Sequence, residues 1–318
     1  MRKMFFFQRL SAAHVERIRK EAPDWEIVHG QEPETWTDHL AEAEIWGGWR
    51  TEAEELLLSG RAKPRWIHLW TAGANRLPLE KLRAMEITVT NSSGVHAYPI
   101  SETVLAMMLS WTRRVHIHIR RQKEARWIKD PEPLPEMHEK TLGVIGVGAI
   151  GSEIARLAQA FRMTVLGVRR SGRDDPHVDR MYRYDELEQM LPLCDYVVNT
   201  LPLTTETAGM FGEKEFKAMK KNAFFVNIGR GGTVDTEALV RALEQGWIGG
   251  AGLDVFDPEP LPDGHPLWTM DQVLITPHIS GSTEHYTDRV IDIFIPNLRR
   301  YVQGLKPDLN VVNLWAGY

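Results

Sequence analysis

Short apolar runs alternate with amphipathic stretches along most of this chain. Met4–Phe7, Trp25–Val28, Glu44–Gly47, Trp66–Trp70 and Ile87–Thr90 read as strands, and Ser11–Lys20, Thr51–Leu58 and Leu79–Ala84 carry the helical period between them. Strands that alternate with helices predict βαβ units and a parallel sheet. A longer helix is predicted from Ile100 to Arg121, where Val104, Met107, Met108 and Trp111 recur at helical spacing and read as core packing. Lys129–Pro135 carries three prolines and reads as a surface loop. A second series begins at Thr141, with strands at Leu142–Val147, Thr164–Val168, Tyr196–Thr200, Ala223–Ile228, Ala251–Val255 and Val273–Thr276. Six strands in this rhythm match a doubly wound sheet with two mononucleotide-binding halves. The tail from Asp288 to Tyr301 reads as a helix that packs back on the first domain.

Composition narrows the class. The 318 residues suggest about two domains, and 43% hydrophobic with 25% charged residues is the balance of a globular protein with a buried core. The net charge of -5 is spread along the chain, so neither nucleic acid nor a membrane surface is expected as a partner. Cys194 is the single cysteine, which excludes an intramolecular disulfide and favours a reducing compartment, the cytoplasm. Met1–Phe7 imitates the start of a signal peptide, but Gln8-Arg9 ends its apolar run too early, and it reads as a first strand. No His, Cys, Asp or Glu cluster has metal-ligand spacing, so no metal is expected.

The strongest local motif is Gly146-Val147-Gly148-Ala149-Ile150-Gly151. An apolar strand, Leu142–Ile145, enters it, and an amphipathic helix with Ile154, Leu157, Ala158 and Phe161 leaves it. In that context Gly146 serves the tight turn, Gly148 the approach of a pyrophosphate, and Gly151 the close packing of helix on strand. The helix N-terminus presents N–H groups and a positive dipole end to the phosphates. An NAD site places Asp or Glu after the second strand, to bind the ribose hydroxyls. Here Thr164–Val168 ends in Arg169-Arg170-Ser171, and no carboxylate occurs until Asp174. Two guanidinium groups and a hydroxyl suit a 2′-phosphate, so NADP is the expected cofactor, with NAD bound less well.

Three polar residues stand just past predicted strands, where α/β sheets bind their ligands. Arg230 follows Phe224–Gly229, Glu259 follows Gly252–Pro258, and His278 follows Val273–Pro277. Taken singly, each has a plain structural reading: a surface arginine, a solvated glutamate between prolines, a structural histidine. As an ordered set they resemble the D-isomer-specific 2-hydroxyacid dehydrogenase family, through Thr141–Gly151, Asn199–Thr207, Asn227–Val234, Gly250–Pro260 and Thr276–Gly281. The resemblance covers residues 65 to 318 and is nearest to the bacterial glyoxylate/hydroxypyruvate reductase-like branch. The first 60 residues match in rhythm only.

The resemblance implies an α/β fold of two doubly wound parallel-sheet domains. One is a flavodoxin-like substrate domain, residues 1–98 plus 286–318; the other is an inserted Rossmann dinucleotide-binding domain, residues 99–285. It implies reduction of a small 2-keto acid, such as glyoxylate or hydroxypyruvate, to the D-2-hydroxy acid by hydride transfer from NADPH. Arg230 would clamp the substrate carboxylate and polarise the keto oxygen. His278 would be the general acid, and base in reverse, since an imidazole titrates near neutrality. Glu259 would fix its tautomer and favour its charged form. Asp254 would face the nicotinamide carboxamide. The cofactor would meet Gly146, Gly148, Ala149, Ile150, Gly151, Arg169, Arg170, Ser171, Leu201, Pro202, Thr207, Ile228, Gly229, Asp254, His278 and Gly281. Backbone N–H groups of Ala72, Gly73 and Ala74 would bind the substrate together with Arg230. Family members commonly carry a Gly-Val-Asp-like sequence where this chain has Gly73-Ala74-Asn75. Val95, His96 and Tyr98 lie at the passage between domains, and His96 reads as a hinge or packing residue. A homodimer is implied, through Ile100–Arg121 and the loop after it. Two other readings stay open: a nicotinamide-sensing module like the co-repressors that resemble this family, and a dehydrogenase of another small anion such as formate or phosphite.

Overall fold

The computed structural model describes residues 2–30, 33–74 and 77–315. Asn75 therefore lies outside the described residues. The chain forms two compact units, Met1–Val95 with Thr283–Tyr318, and His96–Ser282. Tyr98 thus belongs to the second unit, in the first turn of its first helix.

The first unit runs β1 (Arg2–Phe6), α1 (Ala12–Glu21), β2 (Trp25–His29), α2 (Pro33–Glu42), β3 (Ile45–Gly47), α3 (Thr51–Leu58), β4 (Trp66–His68), α4 (Leu79–Ala84) and β5 (Thr88–Thr90). Its five strands are parallel, in the order β2-β1-β3-β4-β5, which is the flavodoxin-like order. Alternation along each strand divides the core in two. Phe5, Trp46, Ile67 and Val89 face one layer with Leu40, Leu57 and Leu82; Met4, Phe6, Ile45 and Trp66 face the other with Ile18. The C-terminal helix completes that second layer with Val290, Ile291, Phe294 and Leu298. Helix α2 is absent from the sequence reading because only Trp36 and Leu40 mark an apolar face in an otherwise polar segment.

The second unit opens with two helices, α5 (Ala97–Thr112) and α6 (Val115–Lys123), where one was expected. Arg114 adopts φ 52°, in the left-handed region, and turns the chain between them. No glycine or proline advertises that break. There follow β6 (Thr141–Ile145), α7 (Ala149–Ala160), β7 (Thr164–Val168), β8 (Arg180–Tyr182), α8 (Leu187–Met190), β9 (Tyr196–Asn199), α9 (Glu213–Ala218), β10 (Phe224–Asn227), α10 (Thr236–Glu244), β11 (Gly250–Leu253) and β12 (Val273–Ile275); α11 (Tyr286–Val302) returns to the first unit. The sheet has seven parallel strands, not six, in the order β12-β11-β10-β9-β6-β7-β8. The additional strand, β8, is a three-residue edge strand led by an exposed arginine, too short for a period to show. The strand order reverses between β6 and β9. Ligands of such sheets bind at that switch point, beyond the carboxyl ends of the strands. Among the described residues no helix is long and apolar enough to cross a membrane.

Candidate active site

At the end of β6, Gly146 takes φ 100°, a conformation that L side chains rarely adopt, and its N–H donates to Val168 O at 2.9 Å. Gly151 lies where a Cβ would stand 2.7 Å from Gly146 O, so helix α7 could not otherwise approach the strand so closely. Gly148 differs from both. A Cβ there would meet nothing within 4 Å, so its face of the turn is open. Gly148 is the N-cap of α7, and the N–H groups of Ala149, Ile150 and Gly151 have no acceptor among the described residues. An open backbone face at a helix N-terminus is what a pyrophosphate requires, so these residues fit a dinucleotide.

Past β7, Arg169 Nε donates to Val147 O, which draws its guanidinium onto the glycine turn. Arg170 points toward Glu206, with 3.8 Å between Nη1 and Oε2, and both side chains are more than half exposed. Ser171 Oγ accepts from Arg173 N–H at 3.3 Å. Beyond β9, Leu201 is buried, and Thr207 uses its hydroxyl internally, donating to Pro202 O at 2.6 Å. Beyond β10, Ile228 is buried and Gly229 N–H donates to Asn227 Oδ1 at 3.2 Å.

Under these loops lies a buried polar network that sequence reasoning passed over. Asn199 Nδ2 donates to Asn227 Oδ1 at 3.0 Å and to Thr233 Oγ1 at 2.7 Å, and Thr233 Oγ1 donates to Arg230 O at 2.6 Å. It ties the ends of β9 and β10 to the backbone of Arg230. The available signal was an asparagine closing each of two adjacent apolar strands, Val198-Asn199 and Val226-Asn227.

Arg230, Glu259 and His278 all lie in the second unit. His278 Nδ1 donates to Glu259 Oε2 at 2.8 Å, while Phe256 N–H donates to Glu259 Oε1 at 2.8 Å. Partial burial alone would raise the Glu259 pKa. The hydrogen bonds from His278 and Phe256, with the nearby charges of His278 and Arg230, outweigh it and hold the carboxyl below its ordinary value. Glu259 is thus ionised at neutral pH and fixes the proton on Nδ1. Nε2 has no partner among the described residues, and half of the side chain is exposed. Arg230 spends one N–H on Gly229 O at 2.7 Å and keeps the rest of its fork free of protein acceptors among the described residues. Pro258 and Pro260, on either side of Glu259, both follow cis peptide bonds.

Asp254, expected beside the nicotinamide, is fully buried. Its Oδ1 accepts from Thr276 Oγ1 at 2.6 Å and Ile279 N–H at 2.9 Å, and its Oδ2 from the N–H and hydroxyl of Ser280. The carboxylate therefore holds the loop that carries His278. Gly281 O accepts from His96 Nδ1 at 2.9 Å, which makes His96 a packing residue of the second unit. In the first unit, Ala72 and Gly73 are exposed on the loop after β4, and Ala74 is buried.

Residues 105–280 match the model of the D-isomer specific 2-hydroxyacid dehydrogenase NAD binding domain, more than half of the chain. The chain belongs to this family. Its relatives include a glyoxylate/hydroxypyruvate reductase B from Enterobacter sp., 35% identical over 88% of this chain and 89% of the relative. A D-isomer specific 2-hydroxyacid dehydrogenase family protein from Aeromonas salmonicida superposes with a TM-score of 0.81 at 31% identity, covering 98% and 99% of the two chains. The NADPH-dependent glyoxylate/hydroxypyruvate reductase of Sinorhizobium meliloti, solved with NADP and sulfate, gives 0.79 at 25% identity over the full length of both. Arg230, Glu259 and His278 stand on the loops after three consecutive strands, β10, β11 and β12.

Proposed function

We propose that this 2-hydroxyacid dehydrogenase reduces a small 2-keto acid to the D-2-hydroxy acid and prefers NADPH. The observation that carries the reading is the Glu259–His278 pair, with Nε2 left open, and a guanidinium, Arg230, that keeps unspent donors and is close enough to Glu259 for its charge to act on that carboxylate. Bound nicotinamide supplies the hydride. The chain's own residues do the rest. Arg230 binds the substrate carboxylate and polarises the keto oxygen; the backbone N–H groups of Ala72, Gly73 and Ala74 are the other proposed donors to the carboxylate. His278 delivers a proton from Nε2 to the oxygen, and Glu259 stabilises the imidazolium before transfer. The residues of the glycine turn hold the pyrophosphate. The relatives' names support glyoxylate and hydroxypyruvate as first substrates to try.

The cofactor preference rests on Arg169. A charge-assisted hydrogen bond contributes about 1.5–3 kcal/mol, reduced by solvent at the adenosine end. We expect about 5- to 150-fold in kcat/KM for NADPH over NADH, at 1.4 kcal/mol per factor of ten. Arg170 contributes less, because Glu206 competes for it. The test is an activity panel of glyoxylate, hydroxypyruvate, pyruvate and bulkier 2-keto acids with both cofactors, repeated in Arg169→Asp. No turnover of any keto acid removes the reading; a wild type that prefers NADH, or a ratio that Arg169→Asp leaves unchanged, removes the cofactor assignment.

The protein is further proposed to act in the cytoplasm as a homodimer. Helix α6 buries none of its residues within the chain, and Val115, Ile119, Trp127 and Ile128 are exposed on it and just after it.

A further inference from the structure

The loop after β4 has its carbonyls engaged without a gap. Leu69 O accepts from Ser92 Oγ at 2.7 Å, Trp70 O from the Tyr286 hydroxyl, and Thr71 O from Ser92 N–H at 3.1 Å. Ala72 O accepts from Asn91 Nδ2 at 2.7 Å, Gly73 O from Thr71 Oγ1 at 2.9 Å, and Ala74 O from Leu77 N–H at 3.1 Å. On the other side, the N–H groups of Thr71, Ala72 and Gly73 have no acceptor among the described residues. A peptide unit is planar and trans, so its C=O and the next residue's N–H point in opposite directions. A bond that fixes one carbonyl therefore aims one N–H. Tyr286 aims that of Thr71, Ser92 that of Ala72, and Asn91 that of Gly73.

Two of these braces depend on the distant end of the chain. Tyr286 is the first residue of α11. Asn91 is itself set by the C-terminal tail. Its N–H donates to Asn310 O at 3.0 Å, and its Oδ1 accepts from Ser93 N–H at 3.0 Å, which leaves Nδ2 for Ala72. Asn310 Nδ2 donates to Ser93 O at 2.8 Å, and Val312 N–H to Val89 O at 2.9 Å, so the tail runs along the end of β5. Buried Asn297 of α11 holds the start of that tail. It accepts from the N–H groups of Asp308 and Leu309 at 3.1 and 2.9 Å and donates to Leu309 O at 2.8 Å.

We propose that Asn91 and Tyr286 are positioning residues for the substrate carboxylate, and that the C-terminal segment 286–312 belongs in this way to the substrate site. Neither side chain needs to touch the substrate; each acts through the peptide it holds. The inference rests on the reading of the protein as a 2-keto acid reductase.

Tyr286→Phe removes one hydroxyl, and Asn91→Ala one carboxamide. Each should raise KM for the keto acid about 3- to 10-fold, the effect of one neutral hydrogen bond. Turnover should stay within about twofold, and the NADPH dissociation constant should not change. The Ser92 amide, which donates to Thr71 O, reports on the loop without turnover, and its hydrogen exchange should quicken in Tyr286→Phe. An unchanged KM in both variants with unchanged Ser92 exchange would overturn the proposal. So would a kcat and an NADPH affinity that fall as far as KM rises, the mark of general damage. A wild type inactive on every 2-keto acid would instead remove the functional reading, and Ser92 exchange would then decide the bracing alone.

Discussion

His278 has backbone φ 54°, a left-handed conformation that costs a non-glycine residue roughly 1–2 kcal/mol. Four hydrogen bonds from residues 276–280 to the Asp254 carboxylate over-determine the loop and offset that cost. An imidazole so placed and tied to Glu259 has one nitrogen for chemistry. His278→Ala should lower kcat by about two to four orders of magnitude, the usual contribution of a general acid or base, with NADPH affinity little changed. Glu259→Gln should lower kcat, because Nδ1 loses the anion that fixes the ring's tautomer and orientation; an unchanged kcat would break the pair. Arg230 makes a different demand. If its fork grips a carboxylate bidentately, Arg230→Lys should worsen both KM and kcat, since an ammonium is a point charge without the fork. Wild-type kinetics in that variant would refute the clamp. The residue types of this site were legible because each lies on the short loop after an apolar strand, Arg230 past β10, Glu259 past β11 and His278 past β12. The burial of Asp254 was not, because its partners lie more than twenty residues further along the chain.

At the scale of elements, the first unit's sheet carries a fully buried titratable group at the end of β4. His68 is fully buried, and burial lowers its pKa to about 3. Its tautomer follows from its neighbours. Ser92 Oγ donates to Leu69 O and so accepts from Nε2–H, while Thr90 Oγ1 accepts from Trp66 Nε1 and donates to Nδ1. The folded state holds His68 neutral down to about pH 3, whereas an unfolded histidine takes its proton near 6.5. The unfolded chain therefore binds more protons between those values, and stability falls as pH drops through that window, at a slope approaching about 1.4 kcal/mol per pH unit for one group. Urea midpoints from pH 7 to 4 should show that slope, and His68→Gln should flatten it. Element types were read well wherever a period ran for two turns or more. The losses were α2, with two core residues, β8, with three residues in all, and the α5–α6 break, which rests on one left-handed arginine.

For the whole molecule, the exposed apolar residues around α6 predict self-association. Light scattering should give a dimer, and Ile119→Glu should yield a monomer that still binds NADPH; a monomeric wild type would remove the dimer. By itself the sequence determined the alternation of strands and helices in its longer elements, the two α/β series, the glycine turn and the candidate set Arg230, Glu259 and His278. All of these are written in periods and motifs a few residues long, where backbone geometry and side-chain alternation act on near neighbours. Only the tertiary structure decided which distant groups meet: α11 as part of the first unit's second core layer, Asn199 with Asn227 and Thr233, Asp254 beneath the histidine loop, and Tyr286 and Asn310 behind residues 69–74. Those pairings depend on strand order and on how helices lie against a sheet. Some of these contacts join residues more than 200 positions apart, as Tyr286 with Trp70 at a separation of 216, and no local pattern encodes them.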